Sequence, residues 1–274
     1  MALTLSNISS MSAGFDLNRS TRSLERTMGR ISSGLRINRA GDDAAGLAVA
    51  EGLSARSRSA AVARRNTNDG ISITETADGA TGEISNIVKR MRELAVQASS
   101  ETLSDTERGY INTEYQELAA EVDRIAEGTE FNGTALTNGG TTQMAVQVGI
   151  DNTASDRITL SLGDVRSTVL GIDTGTIDMS TATGAQSAID TLDTALDTVA
   201  GYRSSYGAAQ NRLDSALSYT ETYEANMIAA ESTIRDADFA FETAQMAKEQ
   251  IIQQAGVSVL AQANVMNQGI LSLV

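Results

Sequence analysis

Large apolar residues recur every three or four positions through most of this chain. The clearest run is Ile73, Ala77, Ala80, Ile84, Ile87, Met91, Leu94 and Ala98, in which steps of four and three alternate without a fault. Such a stride holds one stripe of a helix against a partner for many turns, so it dictates helices packed side by side. It returns in Ile111, Tyr115, Leu118, Val122 and Ile125. A longer seam runs through Ile189, Leu192, Leu196, Val199, Arg203, Tyr206, Gln210, Leu213, Leu217, Thr220, Glu224 and Met227. Its polar members are of the kind that fix register between helices. Near the start, Leu17, Leu24, Met28, Ile31 and Leu35 form another seam, preceded by Ile8, Met11 and Phe15 in a shifted register. A last helix is expected from about Ile234, carrying Phe241, Ile251, Ile252, Val259, Leu260, Val265, Met266, Ile270 and Leu273.

Punctuation agrees with the periodicity. The chain has no Pro, so no helix is broken by a missing N–H. Asp42 or Asp43 is a natural N-cap for the helix that follows, and Ser104 with Glu107 reads as a capping box. Gly70, Gly79 and Gly82 weaken the long helix locally without being expected to end it. Gly128 stops the third helix, and Asn132–Gly133 is a turn. The period then changes to two. Met144, Val146 and Val148, then Ile158, Leu160 and Leu162, alternate with polar or small residues and predict a β-hairpin. Gly171 to Gly184 reads as loop. The fold class expected is mainly α: an elongated antiparallel coiled-coil or helical-bundle rod with a small β-hairpin region in mid-chain. Residues 1–41 and 235–274 would form one domain of terminal helices. Residues 42–136 and 184–234 would form a helical middle domain, with 137–183 as its hairpin and loop segment.

The ends differ in charge from the rest. The formal net charge is −14, yet no charged side chain precedes Asp16 and none follows Glu249. A charge in a packed core is expensive unless paired, so uncharged, apolar-rich ends suit a surface built to meet other copies. Ordering such a segment alone costs about as much as its burial returns. The ends are therefore expected to be disordered in the free subunit and helical in an assembly.

Composition excludes other classes. Without His or Cys, the common bases, nucleophiles and thiolate or imidazole metal ligands are missing, so no catalytic residue, metal or cofactor is expected. The acidic balance argues against nucleic acid or an anionic membrane as partner. No stretch is long and apolar enough for membrane insertion. The start lacks the charged and apolar parts of a cleavable signal peptide, which by ordinary rules keeps the protein inside. Asp42–Asp43 reads as a cap rather than a metal site, and Arg235–Asp238 as a helix-junction salt bridge. Arg56, Arg58, Arg64 and Arg65 read as a solvated face or subunit contact. Asn132 opens a glycosylation sequon that a turn explains, and the Thr-rich Asp173–Thr183 is a stretch that could carry O-glycans.

"ISSGLRINRAGDDAAGLAVAEGL" at Ile31–Leu53 resembles the N-terminal signature of bacterial flagellins. The likeness continues from Asn66 to Arg108 and in "TEFNGTAL" at Thr129–Leu136. "GAAQNRL", "IRDADFAFETAQMAKEQIIQQA" and "LAQAN" are similar to the flagellin C-terminal region. The resemblance implies a structural subunit that self-assembles through its N- and C-terminal helices into the extracellular flagellar filament, the propeller of bacterial motility. It implies packing in the filament core by Leu5, Ile8, Met11, Phe15, Leu24, Met28, Ile31, Leu35, Phe241, Ile251, Ile252, Val259, Leu260, Val265, Met266, Ile270 and Leu273. It also revises the location: flagellins leave through the flagellar export channel without a cleaved signal peptide. The partners implied are many copies of the chain, an export chaperone, the filament cap and hook-junction proteins. Arg90, Leu94 and Glu114 match positions by which a host innate-immune receptor contacts some flagellins. The short middle implies that large outer domains are missing. One departure stands at Met266–Asn267, where family members often carry Pro. The alternatives are a hook–filament junction protein of the same family and a secreted coiled-coil effector or adhesin with folded ends.

Overall fold

A computed structural model describes the backbone of residues 8–271 and the side chains of all but 9, 264 and 266–271. Six helices and four short strands follow in the order α1 (Ile8–Ser33), α2 (Ala44–Ala98), α3 (Asp105–Gly128), β1 (Glu130–Phe131), β2 (Thr134–Ala135), β3 (Gln143–Gln147), β4 (Arg157–Ser161), α4 (Ser167–Leu170), α5 (Ala182–Arg235) and α6 (Phe239–Leu271). The class is mainly α with a small antiparallel β region, as the periodicity predicts. The contacts divide the chain into two units, Met1–Ser57 with Ala225–Val274, and Arg58–Glu224.

In the unit Arg58–Glu224, α2, α3 and α5 share one core. Ile84, Met91, Leu94, Tyr115, Val122, Leu192 and Val199 meet there. Alanines occupy many of the remaining buried positions, among them Ala95, Ala98, Ala119, Ala126, Ala188 and Ala195. Gly70, Gly79 and Gly82 do not interrupt α2. Thr67, Thr74 and Thr81, seven residues apart and buried, return their hydroxyls to the carbonyls of Ala63, Gly70 and Ala77. A polar residue thus sits in a tight core with its hydrogen bond satisfied locally. The polar members of the α5 seam pair with α2: Arg203 with Asp78 at 2.8 Å, Gln210 with Glu75 at 3.4 Å and Glu224 with Arg64 at 3.1 Å. Ascending positions on α5 meet descending positions on α2, so the helices are antiparallel and these pairs mark their register.

The predicted hairpin forms. Val146 stands opposite Ile158 and Met144 opposite Leu160. Val146, Ile158 and Leu160 are buried together against Ile73, Tyr206 and Leu213. The turn at Asn132 and Gly133 has φ of 49° and 75°, and it joins β1 to β2 as a second, minimal hairpin. Ser104 and Glu107 make the capping box at the start of α3.

One expectation is refined and one changes. The Gly171–Gly184 stretch is loop as read until α5 begins at Ala182, but it is anchored: Ile172, Ile177 and Met179 are buried, and the Tyr115 hydroxyl donates to the Ile172 carbonyl at 2.8 Å. Isolated apolar residues in a Thr/Gly/Asp context carry no period, which is why sequence alone missed their anchoring. The last helix begins at Phe239, not near Ile234, because α5 continues to Arg235. The Asp238 carboxylate then accepts the N–H groups of Ala240 and Phe241 at 2.9 and 3.1 Å and starts α6. Within the acidic junction, Arg235 pairs with Glu231 one turn back, and Asp236 accepts from Ser232.

Candidate assembly surface

The unit of Met1–Ser57 and Ala225–Val274 is built on α1 and α6, which lie antiparallel and in close contact. Arg30 reaches Glu242 at 3.2 Å, Ser20 reaches Glu249 at 3.0 Å, and a Cβ on Gly256 would stand 3.3 Å from Leu17. Their joint is largely polar or small. On α1 the residues turned inward are Leu17, Ser20, Leu24, Thr27 and Ile31, with Ser20 and Thr27 the most buried. On α6 they are Glu242, Met246, Glu249, Gln253, Gly256 and Leu260, with the two carboxylates the most buried. The stride is still four and three, but the seam runs through Ser20 and Thr27 and leaves Met28 outside. Sequence reasoning favoured Met28 because it is apolar. The structure favours Thr27 because a small residue lets the helices approach.

Glu249 is satisfied entirely by neutral donors, from Ser20, Ser23 at 3.2 Å and Gln245 at 2.9 Å. Four hydrogen-bonding side chains from two helices therefore lock one register, at the cost of burying a carboxylate.

Most of the remaining large apolar residues point the other way. Phe15 is 69% exposed and Phe241 65%. Ile8, Met11, Met28, Ile251, Ile252, Val259 and Val265 are exposed as well. Leu24, Ile31, Leu35 and Leu260 are half-buried, Leu35 within the bridge it forms with Asp236. Leu5 and Leu273, and the side chains of Met266 and Ile270, lie outside the described residues. Val49, Ile228, Phe239 and Val257 are exposed in the same unit and escaped sequence reasoning, since a seam search looks for stripes that become buried. So wide an apolar surface, on helices whose most buried joining residues are polar, inverts the usual arrangement of a helical pair at those positions and is of the kind that a partner covers.

The turn between α1 and α2 is pinned to the α5–α6 junction. The Arg36 N–H donates to the Arg235 carbonyl at 2.7 Å and the Ala237 N–H to the Gly34 carbonyl at 2.9 Å. Gly34, at φ 71°, supplies the left-handed step that ends α1. Asp43 caps α2 by accepting the Gly46 N–H at 2.9 Å. Asp42 accepts the N–H groups of Arg39 and Asn38, and the Arg39 bond above all holds its carboxyl below the usual carboxylate range. Both carboxylates of the pair are thus occupied by local backbone.

In the other unit, Arg90 bonds Glu114 at 2.8 Å and Glu93 at 3.1 Å on the surface. Leu94 is 1% exposed and belongs to the core, so a partner arriving at this surface meets Arg90 and Glu114 but not Leu94. Among the described residues no group of three or more acidic side chains is placed to hold a metal ion, and no helix is long and apolar enough to cross a membrane.

Known proteins resemble this chain along most of its length. Residues 5–142 match the bacterial flagellin N-terminal helical region, and residues 189–274 match the C-terminal helical region. The chain is 40% identical to a flagellin of Halalkalibacterium halodurans over 260 residues, 95% of this chain and 93% of the relative. It is 39% identical to the flagellar filament core protein flaB2 of Brachyspira hyodysenteriae over 279 residues, 98% of this chain and 98% of the relative. The crystal structure of Bacillus cereus flagellin covers 61% of this chain and 94% of its own, with a TM-score of 0.51 and 35% identity. Helical regions that match at both flanks agree with near-complete overlap with relatives of similar length: the chain belongs to the bacterial flagellin family.

Proposed function

We infer that this chain is the structural subunit of the bacterial flagellar filament and that copies join through the outward faces of α1 and α6. One observation carries the mode of joining: this helix pair buries Ser20, Thr27, Glu242 and Glu249 most deeply and leaves Phe15, Phe241, Ile251 and Val259 outward. Residues 1–41 and 235–274 would line the filament core, with Leu5, Met266, Ile270 and Leu273 extending the same apolar set. Residues 42–136 and 184–234 would surround it, and 137–183 would add only the hairpin. The filament is extracellular, and the chain would reach it by flagellar export without a cleaved signal peptide, assisted by an export chaperone and completed by cap and hook-junction proteins. It works as a building element, and no side chain is given a catalytic role. By the family resemblance, Arg90 and Glu114 would be the groups that a host innate-immune receptor meets, and their exposure supports that reading, whereas Leu94 is buried beneath them.

The test is polymerisation of the purified full-length chain beside a truncation lacking Glu249 to Val274, scored by electron microscopy with and without seeds. Uniform tubes are expected from the full-length chain alone. Equal polymerisation by the truncation would refute the role of the terminal faces. Failure of both under seeding would favour the hook–filament junction reading.

A further inference from the structure

The outward face of α1 changes character along its length. Ile8, Met11 and Phe15 continue, at steps of three and four, into Arg19, Arg22 and Arg26. All six are exposed; Arg19 and Arg22 lie on the side of α1 turned away from α6, and Arg26 borders the open cleft that α1 shares with Phe241 and Glu242. Among the described residues none of the three has an ion-pair or hydrogen-bond partner, whereas Arg30, one turn on, is held by Glu242. Between Leu17 and Gly41, six arginines stand against one carboxylate, Glu25. The unit Met1–Ser57 with Ala225–Val274 as a whole holds nine basic and ten acidic side chains, a net of −1. The unit Arg58–Glu224 holds twelve basic and twenty-five acidic, a net of −13. Nearly all of the chain's negative charge therefore sits in the unit that lacks this stripe. Asp190, Asp197, Asp214 and Glu221 on α5 are exposed there and, among the described residues, their carboxylates have no ion-pair partner.

We propose that the Arg19–Arg22–Arg26 stripe docks on the acidic unit Arg58–Glu224 of a second copy of this chain, so that assembly joins unlike units by charge as well as like faces by apolar contact. The inference rests on the filament-subunit reading. Charge complementarity selects the partner: three unpaired arginines in a row are kept in a chain of net charge −14, and the surface able to neutralise them is carried by every other copy. An apolar stripe that continues into a basic one also lets a single straight edge of α1 pass from the packed interior of an assembly onto a charged neighbour. Such a contact is heterologous, one patch meeting a different patch, which is the geometry that propagates a helical polymer rather than closing a dimer.

The experiment compares full-length wild type with Arg19→Gln/Arg22→Gln/Arg26→Gln. Critical concentration is measured by sedimentation from about 50 mM to about 500 mM NaCl, a range over which surface charges become screened. Wild type is expected to need more protein as salt rises. The variant is expected to need roughly threefold to a hundredfold more at low salt, the loss of three exposed ion pairs, and to respond less to salt. Unchanged critical concentration and salt response in the variant overturn the proposal while leaving the filament reading intact. Failure of wild type itself to polymerise fails that reading instead. A second variant, Arg22→p-benzoylphenylalanine, is photo-crosslinked in seeded filaments made from heavy- and light-isotope chains. Mixed-isotope crosslinks within residues 58–224 are expected; crosslinks confined to residues 1–57 or 225–274 overturn the proposal. Sedimentation of the monomer with phosphatidylglycerol vesicles, lost in the triple variant, would assign the stripe to a lipid surface and overturn it as well.

Discussion

Single residues explain how an acidic chain keeps its charges in order. Asp164 accepts both the backbone N–H and the guanidinium of Arg166, at 3.2 and 2.7 Å. The guanidinium bond is the main reason its carboxyl is held below the ordinary value of 3.8. A carboxylate with a depressed folded-state pKa contributes stability that is fully present above its unfolded value and is lost as pH falls through the folded one. Asp164→Asn should therefore lower the melting temperature at pH 7, and the gap from wild type should close as pH drops below about 3.8. Thermal melts followed by circular dichroism across that range check it; a gap that persists at low pH would show that the ion pair is not its cause. Nearby, the Gly163 N–H donates to the Tyr206 hydroxyl at 3.1 Å, and a Cβ at Gly163 would stand 2.5 Å from the Tyr202 ring. Glycine holds that position because two tyrosines of α5 leave room for nothing larger.

At the scale of elements, small residues set the spacing. Ala77 is fully buried between the hairpin and α5 in the company of Tyr206 and Leu213. Ala77→Leu should overpack that seam and destabilise by about 1–3 kcal/mol, read as a lower urea midpoint with an unchanged slope. The helices themselves were legible: the stride from Ile73 to Ala98 and the capping box at Ser104 are local signals, and they fixed α2 and the start of α3. The hairpin was legible for the same reason, since period two places Val146 and Ile158 on one face whatever they pack against. Three features were not. The burial of Ile172, Ile177 and Met179 depends on Tyr115, fifty-seven residues from its carbonyl partner. The choice of Thr27 over Met28 in the α1 seam depends on how near α6 comes. The inward turn of Glu242 and Glu249 opposes every hydrophobicity rule, and only their partners Arg30, Ser20 and Gln245 make it affordable.

The whole molecule is electrostatically lopsided, with a net of −13 in Arg58–Glu224 and −1 elsewhere. Like charge on every copy's larger unit keeps finished assemblies apart. Light scattering of filaments should accordingly rise sharply as pH approaches the sequence pI of about 4.4, where that charge vanishes, and fall again on return to neutrality. Scattering flat across this range would mean that charge does not govern lateral association. The inverted pair of α1 and α6 has a different implication. Ordinarily a fold's free energy is an intrinsic property, quoted for one molecule at infinite dilution. On the filament reading, most of the hydrophobic share of the terminal helices would be realised between molecules, so protomer concentration would enter the definition of their native state. No melting temperature of an isolated subunit describes them. On that reading the natural reference state for the two terminal helices is a neighbouring copy.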